Sequence, residues 1–380
     1  MRTQSATTIA LGASAMLIAG FAPPAGAQTK AELEAKVDSL ETRVEQLETS
    51  DSGRLIIAPN TTLRFYGYAK ADFIYDLDFD LGNTIFGIAS LGAASVPGEN
   101  FSAHAFQSRL GLESVTQTDG GPLTVKLEGD FFGSGGGQFR LRHAYGTYRG
   151  FLAGQTWTNF MPLESYPGTL DFQGPAGIPF ARQTQLRYTH DFANGFALSG
   201  SIENDPSALS DRPAITGAAS YSFERGFVKL AAVSRGLDGV GGRESAYGIN
   251  LSGNAQLWSG GSIQASYTTG EGIGSYMVFG GGDLDAVGNA IETEGFTIGV
   301  NQGVGEKVTL GLAYGMRNIT AGAGALGTDT SDLETVHVNL IYKPLKNLSV
   351  GVEYITGERT QFNGASFSAD RVQTSVQFNF

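Results

Sequence analysis

The final eleven residues are the part of the sequence that most constrains the fold. Within residues 370–380, apolar or methyl-bearing side chains alternate with polar ones from Val372 to the terminal Phe380. A period of two predicts an extended strand with one apolar and one polar face. No polar tail follows Phe380 to cover the strand edge, so the unpaired N–H and C=O groups of this strand need a partner. The natural partner is the first strand of the same chain, and that pairing would close a barrel.

The amino terminus predicts export. An apolar run over residues 9–22 follows Arg2 and precedes the small residues Ala25-Gly26-Ala27. This is the pattern of a secretory signal peptide, which we place at residues 1–27. No other stretch approaches the roughly 20 apolar residues that a membrane helix needs. The chain has no cysteine, and its 37 acidic against 25 basic residues argue against nucleic acid as a partner.

A heptad pattern follows the signal peptide. Leu33, Leu40 and Leu47 recur every seven residues, and Val37 and Val44 interleave with them. Valine at a and leucine at d predict a short parallel coiled coil within residues 28–52. So short a helix is not stable alone, so the larger domain at residues 53–380 would set its oligomeric state. A solvated helix or a spacer is the alternative interpretation.

From Leu63 onward the period of two recurs in about sixteen segments. In the third segment, residues 123–131, the apolar Leu123, Val125 and Leu127 alternate with Lys126 and Glu128 on the other face. A Lys or Arg at the lipid-facing midplane of a barrel costs about 2–4 kcal/mol, so the charged faces are predicted to point inward. Short turns alternate with longer connections, which indicates an all-β transmembrane antiparallel β-barrel of about 16 strands. The longer connections are predicted at residues 79–102, 158–181, 272–292, 320–331 and 360–369, with shorter ones near residues 133–137, 206–212 and 236–242.

A barrel of this size encloses a water-filled channel whose selectivity depends on inward side chains. Seven basic residues have inward parity and are the candidate pore-lining, substrate-selecting residues: Arg64, Lys70, Arg109, Lys126, Arg140, Arg142 and Arg187. Guanidinium forks bind carboxylates in bidentate fashion, so these residues predict passage of small anionic solutes. Alternatively, the arginines pair with Glu113, Glu128 and Asp130 and only line the channel.

The connection at residues 158–181 is the candidate constriction loop. It is rich in proline and aromatic residues, which suit a loop held in one shape, and the candidate residues in it are Phe160, Glu164, Tyr166 and Asp171. The alternative is a loop packed over the barrel mouth or against a neighbouring subunit.

The sequence offers no recognisable catalytic, metal or cofactor site. Asp76, Asp78 and Asp80 alternate at a strand end but lack the glycine and bidentate glutamate of a calcium loop. The four histidines show no metal-ligand spacing, and no nucleophile stands in a triad setting. We therefore expect a passive channel and neither an enzyme nor a cofactor. The two alternatives are an outer-membrane barrel enzyme and a structural tether that acts through the coiled coil.

Five segments of the chain resemble the DcaP-like outer-membrane porins. They are QSRLGLES at residues 107–114, LRHAYG at 141–146, LAGQTW at 152–157, FMPLES at 160–165, and the stretch 171–189. The similarity covers the heptad region and most of the barrel and is strongest over residues 105–190. It implies a trimer of sixteen-stranded channels in the outer membrane of a Gram-negative bacterium, with a periplasmic coiled coil. It also implies uptake of small anionic, often dicarboxylic, compounds.

Overall fold

The computed structural model describes residues 36–37 and 53–380. The chain divides into two units, Met1–Ser52 and Gly53–Phe380. Lys36 and Val37 are helical and exposed. The predicted signal peptide and the rest of the predicted coiled coil lie outside the described residues. No helix in the described part of the chain is long and apolar enough to cross a membrane.

The second unit is built from strands, eighteen of them among the described residues, and all belong to one sheet. The strands are β1 (Arg54–Ala58), β2 (Thr61–Asp76), β3 (Asn100–His104), β4 (Arg109–Thr118), β5 (Gly121–Gly133), β6 (Gln138–Tyr148), β7 (Phe151–Trp157), β8 (Arg182–Asp191), β9 (Phe196–Glu203), β10 (Ala214–Phe223), β11 (Gly226–Gly239), β12 (Gly242–Trp258), β13 (Gly261–Glu271), β14 (Glu292–Val304), β15 (Val308–Ile319), β16 (Thr330–Leu345), β17 (Leu348–Gln361) and β18 (Ser366–Asn379).

The sheet closes on itself as the C-terminal alternation predicts. Strand β18 pairs antiparallel with β2, from Arg371 opposite Asp76 to Asn379 opposite Tyr68. The Phe380 N–H then donates to the Gly67 carbonyl at 3.1 Å. Strands β3 and β4 both pair with β2 and occupy one position in the ring, while β1 pairs with the first residues of β2. The result is a closed antiparallel barrel of sixteen strand positions, and this part of the fold prediction is confirmed.

The two faces of each strand differ in the way that the period of two predicts. On β2, Phe65 and Phe73 point outward and are 57% and 45% exposed. Lys70, Asp72 and Asp76 alternate with them and are buried inside the barrel. Charged side chains therefore project inward, where water or a partner can solvate them, and the outer face is apolar.

Two predicted connections are wrong. The turn between β11 and β12 consists of residues 240–241 alone, and the turn between β17 and β18 consists of residues 362–365. Polar composition suggests longer loops at both places. However, the backbone hydrogen bonds between the strands continue through both segments. Only about 9–11 residues of each strand span the membrane, so the residues beyond that span can be polar and still pair. The structure also contains two short strands, β1 and β3, that the sequence pattern does not predict.

Three long connections fold into the barrel. We call residues 77–99 the first connection, residues 158–181 the second and residues 272–291 the third. Each contains a short 3₁₀ helix: Ile85–Ser90, Leu163–Ser165 and Gly274–Tyr276, respectively. Their apolar side chains form a core against the inner wall of β16–β18, in which the buried members include Ile85, Ile88, Ile178, Phe279, Leu333 and Ile355. The barrel is therefore filled on this side.

Candidate channel constriction

The second connection starts and ends at one cross-strand pair, Trp157 of β7 opposite Arg182 of β8. From there it runs along the inner wall, and wall side chains donate hydrogen bonds to its backbone carbonyls. The donors and acceptors are Lys229 Nζ and Met161 O (2.9 Å), Asn254 Nδ2 and Glu164 O (2.7 Å), and Asn339 Nδ2 and Gly168 O (2.9 Å). The connection therefore follows the inner wall from β11 to β16.

Glu353 of β17 fixes the far end of the second connection. Its fully buried carboxylate accepts hydrogen bonds from the Leu170 N–H at 2.9 Å and the Asp171 N–H at 3.0 Å. Asn339 Nδ2 and His337 Nδ1 lie 2.9 and 3.3 Å from the same carboxylate. Hydrogen bonds to a charged group contribute about 1.5–3 kcal/mol each, so this is a strong anchor.

Arg371 of β18 joins the second connection to the first. Its guanidinium is fully buried and bonded to both carboxylate oxygens of Asp76, at 2.6 and 2.9 Å. It also donates to the Gly82 carbonyl at 2.7 Å and lies 3.7 Å from Asp171. Burial raises the pKa of the Asp171 carboxyl above its ordinary value, and the positive charge of Arg371 opposes that shift.

Three more inward arginines hold connections and do not face open lumen. They lie on β11, β15 and β17 and are 2–9% exposed. Their contacts are Arg235 with Asp205 (2.7 Å from Nε to Oδ2) and the Gly272 carbonyl (3.0 Å), Arg317 with the Phe279 carbonyl (2.9 Å), and Arg359 with the Leu91 and Thr328 carbonyls. The β11–β18 side of the barrel is thus occupied by folded connections.

The opposite wall carries a cluster that we call the basic row: Arg109, Lys126, Arg140, Arg142 and Arg182. Two buried carboxylates lie among these five cations, Glu128 and Asp130. Arg140 donates to both oxygens of Asp130, at 3.0 and 2.9 Å. Arg142 bridges the two carboxylates, at 3.1 Å to Glu128 and 2.7 Å to Asp130. Counted as ionised groups, five cations and two carboxylates give the cluster a formal charge of +3.

The second connection meets the basic row through Phe172. Its ring stacks on Phe132 of β5 with the centroids 4.2 Å apart. The guanidinium carbons of Arg140 and Arg142 lie 5.4 and 5.8 Å from the Phe172 ring centroid. Loop and wall therefore come together on the β4–β8 side, and we take this place as the candidate constriction.

The structure separates the residues that the sequence groups together as pore-lining. Arg109, Lys126, Arg140 and Arg142 lie in the basic row, whereas Lys70 is buried and donates to the Leu170 carbonyl at 2.7 Å. Arg64, near the beginning of β2, lies 3.9 Å from Glu113. Arg187 donates to Gln185 Oε1 at 2.8 Å and to the Trp157 carbonyl at 2.5 Å. The carboxylates of the basic row are paired with arginines, as the second interpretation of the sequence predicts, and cations outnumber them. The substrate-selecting role of these cations stays a prediction.

The four candidate residues of the second connection also differ in their surroundings. Phe160 is buried and packs edge to face on Tyr276 with centroids 5.7 Å apart. Tyr166 donates to the Gln173 carbonyl at 2.6 Å, and Asp171 is buried beside Arg371. These three hold the shape of the loop, while Glu164 is exposed.

Comparison with known proteins agrees with this architecture. The crystal structure of the outer membrane channel DcaP of Acinetobacter baumannii is 24% identical, covers 86% of this chain and 99% of its own, and superposes with a TM-score of 0.78. An anion-selective porin from Comamonas acidovorans is 15% identical, with coverage of 84% and 100% and a TM-score of 0.62. A trimer form of OmpT, an outer membrane protein of Vibrio cholerae, is 16% identical, with coverage of 84% and 100% and a TM-score of 0.58. No curated protein sequence matches the chain.

The closed barrel and these likenesses define the class of fold: a porin-like β-barrel. The model of the DcaP outer membrane protein family matches residues 33–216, which places this barrel in the outer membrane of a Gram-negative bacterium. The resemblance predicted from the sequence is therefore confirmed over that stretch, which includes β1 to β9, the first residues of β10 and the whole second connection.

Proposed function

We propose that this protein is a passive diffusion channel for small anionic solutes, including mono- and dicarboxylates. The observation that carries the proposal is the excess of cations over carboxylates where Phe172 of the second connection touches the wall. In a water-filled passage, a net positive wall raises the local concentration of anions and lowers that of cations. The similarity to an anion-selective porin supports the same sign of charge preference.

The named relatives also bear on the alternatives. They are described as channels, porins and outer membrane proteins, which supports a channel rather than an outer-membrane barrel enzyme. A related barrel with a described trimer form supports a homotrimer in the lipid of the outer membrane. The coiled coil at residues 28–52 stays a prediction. Deleting residues 29–50 tests the tether, because a tether would lose its partner while the conductance of the barrel stayed unaltered.

Planar-bilayer recording in a KCl gradient tests the proposed function. We expect a reversal potential with the sign of a chloride-preferring channel. A clear preference for potassium would contradict the proposal.

The anion preference should decline as the salt concentration rises. The Debye length falls from about 10 Å at 0.1 M to about 3 Å at 1 M, so the field of the partly exposed Arg109 and Arg140 is screened as salt rises. Arg142 is 4% exposed and is screened less, but so are the buried Glu128 and Asp130 that it binds, so the excess positive charge lies mainly on the exposed cations. We therefore expect the chloride-to-potassium permeability ratio to fall steeply as salt rises and to approach unity near about 1 M. A ratio that does not change with salt would show that charge is not the basis of selection.

A further inference from the structure

Arg182 is not among the candidates from the sequence, and its guanidinium differs from those beside it. Arg140 uses its Nε and Nη2 to bind Asp130, and Arg142 uses its Nε and Nη1 to bind Glu128 and Asp130. Arg182 makes no side-chain hydrogen bond and has no carboxylate within 4.0 Å among the described residues, and its Nη1 is buried without a partner. Its donors are therefore unused.

The position of Arg182 is nevertheless fixed. Its guanidinium carbon lies 4.7 Å from the centroid of the Trp157 ring, and Trp157 packs against Phe180 with centroids 4.7 Å apart. The Trp157 carbonyl accepts a hydrogen bond from Arg187, which holds the backbone at this point. An arginine stacked on an aromatic face loses little side-chain entropy on binding and keeps its in-plane N–H groups for a ligand.

The surrounding charge favours an anion as that ligand. The guanidinium of Arg142 lies over the same tryptophan ring, 5.7 Å from its centroid, so Arg182 has a cation as its neighbour. An uncompensated cation beside another cation is costly when partly removed from water, and an oxyanion would relieve this cost. Arg182 also stands at the base of the second connection, where β7 and β8 meet the candidate constriction.

We propose that Arg182 on Trp157 is a binding subsite for one carboxylate group of the passing solute. Arg140 and Arg142, each of which already binds carboxylate oxygens through two guanidinium nitrogens, supply the field and hold the wall. The subsite rests on the proposed anion channel and names its substrate class: a planar oxyanion that accepts two N–H bonds is held, whereas a spherical halide is only attracted.

The test separates two properties of Arg182: its positive charge and the paired N–H donors of its guanidinium group, which can bind both oxygens of a carboxylate. Arg182→Lys keeps the charge and removes the paired donors, and Arg182→Ala removes both. In single-channel recordings in KCl, added succinate or acetate should reduce the chloride current as it occupies the subsite. We expect Arg182→Lys to keep the wild-type reversal potential while the half-blocking succinate concentration rises about tenfold, and Arg182→Ala to lower anion preference as well.

The matched control is Arg225→Lys, in an exposed turn between β10 and β11. It should leave both the reversal potential and the block by succinate unchanged. Heat-modifiable migration on gels shows that each variant is folded. Unaltered succinate block in a folded Arg182→Lys channel would overturn the subsite. A wild-type channel without anion preference would instead overturn the proposed function, so the two failures are distinguishable.

Discussion

Replacing Arg109 and Arg140 by glutamate is expected to convert the channel from anion preference to cation preference. The two substitutions change the formal charge of the basic row from +3 to −1, since each exchanges a cation for an anion. Both side chains are partly exposed, at 23% and 33%, so new carboxylates there remain hydrated. The measurement is the reversal potential in a KCl gradient, which should change sign.

Matched glutamine substitutions separate charge from size. Arg109→Gln with Arg140→Gln leaves the row at a formal charge of +1, so a weakened anion preference should persist. Arg140 binds the buried Asp130 alone, and Arg142 remains there as a partner for that carboxylate. Arg142 is a poorer choice for this experiment, because it is 4% exposed and its removal takes a partner from both Glu128 and Asp130. Breaking such a buried pair costs about 3–5 kcal/mol. If the folded double-glutamate channel retained the wild-type reversal potential, the basic row would not be the selective element.

Replacing Glu353 by alanine is expected to release the second connection and enlarge the passage. The change removes the acceptor of the Leu170 and Asp171 N–H groups. It also leaves these donors buried without partners, at a cost of about 1–3 kcal/mol each. A loop freed from the wall leaves more of the sixteen-stranded lumen open to water, so single-channel conductance should rise about twofold and become noisier.

The control for this variant lies on the same strand. Glu358→Ala removes an exposed carboxylate that does not touch the second connection and should leave conductance unchanged. Glu353→Gln keeps an oxygen acceptor and should give an intermediate result. Wild-type conductance in a folded Glu353→Ala channel would show that the Glu353 contacts do not hold the constriction.

Much of the barrel can be predicted from local pattern. The alternation of Val372 to Phe380 requires a partner, and β2 supplies it. Turns such as Arg149-Gly150 are predictable because both residues adopt positive φ, at 51° and 83°, as a tight hairpin requires. Strand ends are less predictable, because the ladder of β17 continues through polar residues to Gln361.

The function of the inward arginines cannot be read from parity alone. Parity places Arg140 and Arg371 inside the barrel but does not say whether water or a folded connection meets them. That depends on contacts between distant parts of the chain, such as Leu170 with Glu353, 183 residues apart. Arg182 has the parity opposite to Arg187, which predicts an outward side chain; the stacking on Trp157 at the strand end overrides it.

The anchoring of the second connection has a consequence for the order of assembly. Its far end is held at Leu170 by Glu353 and Gln373, on the last two strands, and by Lys70 on β2, with which β18 closes the barrel. Until the C-terminal hairpin docks, Lys70 is the wall residue that can hold Leu170, because Glu353 and Gln373 are not yet in place. The constriction is therefore the last feature of the pore to form during assembly. A barrel that has not closed would lack the constriction and would not select between solutes.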